Sequence, residues 1–219
     1  MTKRRWIYYL IGLFILALGL ELNSKTGLGV SAIISVAYAN SVLFGIAFPD
    51  MTLILYIIFV LIELIIHTIR KQPRQVLVMD VLQIPLSIVF TRFMKVYELF
   101  IPDLFGSVFS LRLFVLILAV ICTGIGAAMT LNMRIVPNPG DGIVQTIADA
   151  IGKETGITKN CVDLSCVLLT LLIDSILVGS FAGLGLGTLL SMIGVGRTIA
   201  YFNRWVGNQM VIQCGIDNA

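Results

Sequence analysis

Apolar stretches near the length of a bilayer span succeed one another along this chain, and that succession constrains its fold more than any motif does. Residues 6–22, 53–69, 76–99, 109–131 and 161–181 each read as a spanning helix, and 185–205 is glycine-rich but long enough for a sixth. Of the 219 residues, 58% are hydrophobic and 12% charged, and the mean hydropathy is +1.00. A soluble domain carries about twice that charge. The expected fold class is all-α: a polytopic membrane protein forming one membrane domain over residues 1–219, with the lipid bilayer as its partner. The Met-Thr-Lys-Arg-Arg start superficially resembles a signal peptide, but no small-residue cleavage site follows and further spans do. A retained first helix is expected.

Several function classes drop out. A net charge of +3 is too small to suggest nucleic acid, and no basic stripe with interleaved aromatics exists. Cys122, Cys161, Cys166 and Cys214 lack CxxC spacing, and His67 is the only histidine. No metal, cofactor or Cys/His nucleophile pair is expected, and the cysteines read as small core residues. Ser31 lacks a Gly-x-Ser-x-Gly setting, and GLGLG at 183–187 is not preceded by a soluble strand, so neither a catalytic serine nor a dinucleotide site is expected.

Two segments resist assignment as spans. Residues 31–48 are apolar but lie between Gly/Pro-containing turns, and 142–153 is short and carries Asp149 and Lys153. Sliding the chain on itself by 111 residues aligns them, with nine of 37 pairs identical between 29 and 65, including Gly29/Gly140 and Gly45/Gly156, and with Glu63 against Asp174. If neither segment spans, each half contributes three spans, and the odd number inverts the second half. The expectation is about six transmembrane helices plus two short re-entrant or amphipathic helices, built as two inverted repeats of about 6–100 and 108–206.

The charges support that count. With the N-terminus inside, Lys3, Arg4, Arg5, Arg70, Lys71, Arg74, Arg134, Lys153, Lys159 and Arg204 are cytoplasmic, while Lys25, Arg92, Lys95 and Arg112 are outside and Arg197 is embedded. Eight full spans would export the tight basic loop HTIRKQPR and Arg134, against the positive-inside rule. Both termini are expected in the cytoplasm of a bacterial inner-membrane, multi-pass protein.

The segment IVPNPGDGIVQTIADAIGKETGI, at 135–157, is the most distinctive. Asn138, Gly140, Asp141 and Gly142 are expected to form a non-helical turn, in which Gly140 and Gly142 permit positive φ, opening a short helix that ends before Gly156. The first-half counterpart, NSKTGLGVSAII, offers Gly29 and Ser31. Functionally, each turn would aim a helix N-terminus at the bilayer interior, ready for an anion or polar solute. Structurally, each would be a capped turn with no ligand. An apolar helix, Asn-Pro-Gly-Asp-Gly, an amphipathic helix, Thr-Gly-Ile-Thr at 155–158 and a new apolar helix together resemble the YczE/YyaS/YitT group of bacterial integral membrane proteins, most strongly over 124–179. The first-half copy departs from the pattern: GLGVSAI lacks the acid, and FGIAFPD replaces the Thr-Gly turn. The resemblance implies a membrane protein of permease type, with no substrate or catalytic residue to carry over.

Embedded charges complete the reading. Glu63, His67 and Arg70 share a helix face in LILYIIFVLIELIIHTIR, and Asp174 sits in CVDLSCVLLTLLIDSILVG. Such acids form a proton or cation relay, or else Glu63 pairs with His67 or Arg70 and Asp174 caps a helix near the surface. Arg197, in the last span, either recognises a carboxylate or phosphate, neutralises Asp80, or snorkels to the surface. Gly183, Gly187 and Ser191 form a small-residue packing seam. The expected function is a transporter or permease for a small polar or anionic solute, with Asn138, Gly140, Asp141, Gly142, Gly29, Ser31 and Arg197 binding it. Glu63, Asp174 and Asp80 would couple an ion or proton. A non-transporting membrane auxiliary is the alternative, and the small size is compatible with a homodimer.

Overall fold

The structure, a computed structural model, describes residues 3–179 and 183–216. Among them lie nine α-helices and no strand: α1 (Lys3–Lys25), α2 (Ala32–Phe44), α3 (Phe48–Ile69), α4 (Arg74–Phe100), α5 (Phe109–Met133), α6 (Pro139–Ile151), α7 (Thr155–Ile173), α8 (Leu186–Phe202) and α9 (Asn208–Gln213). A π turn over Asp174–Val178 prolongs α7, and another over Asn203–Gly207 joins α8 to α9. The fifth expected span, 161–181, starts earlier, at Thr155; Phe181, its expected end, lies outside the described residues.

Among the described residues, five helical runs are long and apolar enough to cross a membrane: α1, α3, α4, α5 and Thr155–Leu177. The chain is therefore built as a multi-pass membrane protein. α8 alone has 17 residues. The two segments that resisted assignment form α2 and α6, each of 13 residues. At 1.5 Å per residue each is about 20 Å long, short of a hydrocarbon core of about 30 Å. α4 shows how these helices suit lipid. Its buried stripe is Asp80, Gln83, Ser87, Phe90, Thr91 and Met94, whereas Val78, Met79, Val81, Leu82, Ile88 and Val89 face outward. Polar residues inside and aliphatic ones outside invert the pattern of a soluble helix.

The chain divides into two compact units, each discontinuous in sequence. One contains α1, α5, α8, α9 and α4 from Phe93 onward. Here α1 and α5 run antiparallel, each starting beside the other's end. Arg5 donates to the carbonyls of Met133 (2.6 Å) and Arg134 (3.3 Å), and Arg112 donates to those of Thr26 (2.7 Å) and Gly27 (2.9 Å). Each arginine thus serves carbonyls that a helix C-terminus leaves without partners. Gly27 and Arg134, in the two turns so held, both adopt positive φ, 61° and 45°. Between the helices, Gly19 packs against Ala119 and Thr123, and Gly126 against Gly12 and Leu16. Small residues let the backbones meet where lipid supplies no hydrophobic drive. α8 follows α5 through Gly194 on Val120 and Gly124 on Thr198. Its seam starts at Gly187, against the Gly29 carbonyl, and continues at Ser191, which accepts from Asn23 Nδ2 at 2.9 Å. Gly183 precedes α8 and is not part of it.

The other unit contains α2, α3, α6, α7 and α4 up to Arg92. α3 and α4 form an antiparallel hairpin, fixed by Arg92 on Asp50 (2.7 Å) at one end and His67 on Asp80 (2.7 Å) at the other. α6 packs on α3 and α2 on α7. α2 and α6 both stop at a left-handed glycine, Gly45 (φ 63°) and Gly152 (φ 66°).

Within each unit, matching features recur at a constant spacing. Arg5 and Arg112, Gly19 and Gly126, Gly27 and Arg134, and Gly45 and Gly152 each lie 107 positions apart (112−5, 126−19, 134−27, 152−45). This is four fewer than the 111 drawn from sequence identity. Four residues are about one helical turn. An apolar helix slid by one turn presents nearly the same face, so residue identity alone leaves that register open.

Candidate functional site

Three helices of the second unit, α3, α4 and α6, build a polar ladder whose rungs fall a turn or two apart. α6 runs parallel to α3. Its N-cap, Asn138, donates from Nδ2 to the Tyr56 hydroxyl at 3.3 Å, and its last turn receives Arg70, which donates to the Ala150 carbonyl at 2.6 Å. Tyr56 lies eight residues into α3, so α6 begins about 12 Å along that helix and ends level with its C-terminus. The proline at its first position suits this start, since an N1 residue needs no N–H and a φ near −65° already fits.

Between these ends lie two rungs. In the first, Gln83 Nε2 donates to Glu63 Oε2 at 2.7 Å, with both residues 1% exposed. Gly142 faces them so closely that a β-carbon there would stand 2.9 Å from both carboxyl oxygens of Glu63 and from Gln83 Oε1. In the second, His67 Nδ1 meets Asp80 Oδ2 at 2.7 Å, and His67 Nε2 meets the Thr146 hydroxyl at 3.3 Å. In the tautomer with its hydrogen on Nδ1, the ring donates to Asp80 and Nε2 accepts from the Thr146 hydroxyl. Hydroxyl, imidazole and carboxylate stand in the order of a hydrolase relay. Thr146, however, is in mid-helix, where the surrounding backbone N–H groups are committed to α6 and none is free to act as an oxyanion donor.

Elsewhere in this unit Asp174, fully buried in its π turn, accepts from the Gly183 N–H at 3.3 Å, and Ser35 and Thr170 share a hydroxyl–hydroxyl hydrogen bond of 2.7 Å. No group of three or more His, Cys, Asp or Glu suited to a metal occurs among the described residues.

The family model of DUF6198, a family of unknown function, matches residues 3–204, a stretch that takes in α1 through α8. The chain belongs to this family. No curated protein and no solved structure matches it.

In this DUF6198 protein the structure gathers Asn138, Gly142, Glu63 and Asp80 into the ladder, and moves other expected residues away from it. Gly140 sits in the first turn of α6 without positive φ, and a β-carbon there would make only ordinary contacts, 3.7 Å to Ile33 and 4.0 Å to Tyr56. The turn expected over 138–142 is helical from Pro139, because Asn138 caps it by accepting from the Gly140 N–H at 3.4 Å. Asp141 is half-buried in that first turn. Gly29 (φ 98°) and Ser31 belong to the first unit; Gly29 packs on Gly185, and Ser31 immediately precedes α2. Arg197 is exposed on α8 in that same unit, and Asp80 takes His67 as its partner. Glu63 pairs with neither His67 nor Arg70, although all three share a helix face; each finds its partner on α4 or α6.

Sequence reasoning gave Gln83, Tyr56 and Thr146 no role, and it overlooked the buried Glu21 and Asn23 of α1, each 1% exposed. Gln83 had a signal. In a hairpin turning near 71–73, facing positions sum to a nearly constant value, and 63 with 83 (146) and 67 with 80 (147) place the polar residues of α3 opposite those of α4.

Proposed function

We propose that this protein is a transporter or permease of a bacterial cell membrane, moving a small polar or anionic solute through a site between two inverted repeats near the bilayer midplane. In this reading α8, with its extension, is the sixth span, both termini are cytoplasmic, and α2 and α6 are re-entrant half-helices. The observation that carries it is the ladder: a half-helix beginning partway along α3, with buried Glu63 and Asp80 facing it. Broken helices and ionisable residues at membrane depth are costly, and they persist where they line a pathway.

The repeat draws support from the spacing of 107. At that spacing Gly142 corresponds to Ser35 and Glu63 to Thr170, so that the α6–α3 contact and the α2–α7 contact occupy equivalent places. Glu63 then loses Asp174 as its counterpart. The acids of the ladder favour a proton or cation as coupling ion, and Arg197, the expected anion ligand, lies on an exposed face. The sequence resemblance to the YczE/YyaS/YitT group, of permease type, fits this reading.

A non-transporting auxiliary is the second reading. It rests on only one of the two equivalent contacts holding an acid: Glu63 faces Gly142 in one, and only the hydroxyls of Ser35 and Thr170 meet in the other. Proteoliposomes loaded with a pH-sensitive dye and challenged with a panel of small metabolites decide between the two. Solute-dependent flux that Glu63→Gln abolishes, with the variant eluting as a folded species, is the expected result. Flux equal to that of empty liposomes across the panel would sink the transporter.

A further inference from the structure

We propose that Glu63 holds a proton at neutral pH within a closed acid–amide pair with Gln83, and that this proton is the ion bound at the first rung of the ladder. The inference rests on the transport reading and names its coupling ion. Gln83 Nε2 donates to Glu63 Oε2 at 2.7 Å, while Glu63 Oε1 and Gln83 Oε1 are buried without a hydrogen-bond partner. Both orphaned oxygens lie 2.9 Å from the point where a β-carbon on Gly142 would stand, so they share one small space. An ionised carboxylate has only acceptors and would leave two acceptors facing each other away from water, an expensive arrangement. One hydrogen on Glu63 Oε1, donated to Gln83 Oε1, satisfies both atoms and completes a ring of two hydrogen bonds. Flipping the Gln83 amide does not remove the deficit, since its oxygen would then face the carboxyl instead.

The surroundings offer nothing else to hold a negative charge on Glu63. The first N–H groups of α6 are already used: those of Asp141 and Gly142 by the Asn138 carbonyl at 2.8 Å each, and that of Gly140 by Asn138 Oδ1. Around Glu63, α4 presents Asp80, α3 itself His67 and Tyr56, and α6 Asp141; His67 is engaged by Asp80, and Tyr56 by Asn138. No lysine or arginine is bonded to Glu63 among the described residues. Gly142 is required because any side chain would separate the pair from α6. At the equivalent contact, 107 residues away, Ser35 and Thr170 meet as hydroxyls, which hold no such acid proton.

Infrared difference spectroscopy of the full-length protein in liposomes reads this without any transport assay. At neutral pH the wild type should show a protonated-carboxyl C=O band that Glu63→Gln removes and Asp141→Asn keeps. Gln83→Met should retain the band and move it to higher wavenumber, because the acid has lost its amide partner. Glu63→Gln should keep the wild-type melting temperature, since an amide–amide pair restores both hydrogen bonds, whereas Glu63→Ala should lower it. Absence of a Glu63-dependent band overturns the proposal. So does a band erased by adding sodium or potassium, which would make the rung a metal-cation site. A band without flux would leave the proton site standing and remove the transporter, and Glu63-dependent flux without the band would do the reverse.

Discussion

Gly140 and Gly142 are two residues apart in one motif, yet they sit in opposite circumstances. A methyl group on Gly142 would press on the Glu63 carboxyl and the Gln83 amide at 2.9 Å, while one on Gly140 would meet carbon at ordinary distance. Gly142→Ala should therefore cost about 1–3 kcal/mol, as overpacking does. Gly140→Ala should be neutral or stabilise by up to about 1 kcal/mol through reduced freedom of the unfolded chain. Thermal melting of the two variants checks this, and a larger loss at 140 than at 142 would contradict the arrangement. The sequence marks 138–142 as special, because prolines and glycines crowd there. Which glycine matters depends on what stands opposite, and that partner comes from α3 and α4. Glu63 was legible as a lone acid in an apolar run; the identity of its partner required the hairpin register.

At the scale of elements, the spans were legible, since length and hydropathy dictate a span directly, although α3 and α7 begin five and six residues before the expected starts at 53 and 161. The relation between helices was harder. Identity matching suggests a spacing of 111, whereas Arg5 and Arg112, plainly visible near the starts of α1 and α5, make matching contacts at a spacing of 107, one helical turn less. Each guanidinium reaches the carbonyls at the other helix's end, so Arg5→Ala and Arg112→Ala should each destabilise by about 1.5–3 kcal/mol, the range for hydrogen bonds to a charged group. Lysine should rescue Arg112 poorly, because a point charge cannot span two carbonyls as the planar fork does. Melting temperatures of the single and double variants would show it. If Arg112→Lys matched the wild type, the bidentate contact would have no energetic weight.

For the whole molecule, the proposed orientation rests on the basic loop after α3, which the positive-inside rule puts in the cytoplasm. A cysteine at position 72, in a background lacking native thiols, should resist an impermeant external reagent, and one between 103 and 107 should react. External labelling at 72 would sink both the six-span count and the depth assigned to α6. Composition made the membrane class legible, and the charge distribution supplies the orientation that this labelling tests, while the division into two interleaved units was not visible in the sequence. Each unit takes helices from both halves of the chain, and no run of consecutive residues reveals it.

The crossed pairing of α2 with α7 and α3 with α6 has a consequence for biosynthesis. When α2 leaves the ribosome, its hydroxyl-bearing Ser35, fully buried in the finished protein, awaits Thr170, which is made 135 residues later (170−35). Glu63 likewise waits for the Gly142 turn. The first half must therefore lie in the bilayer with polar faces uncovered while the second half is still being synthesised, a state in which contacts distant in sequence have not yet formed and aggregation competes. Chains halted after α4 should accordingly persist only as long as insertion chaperones shield them.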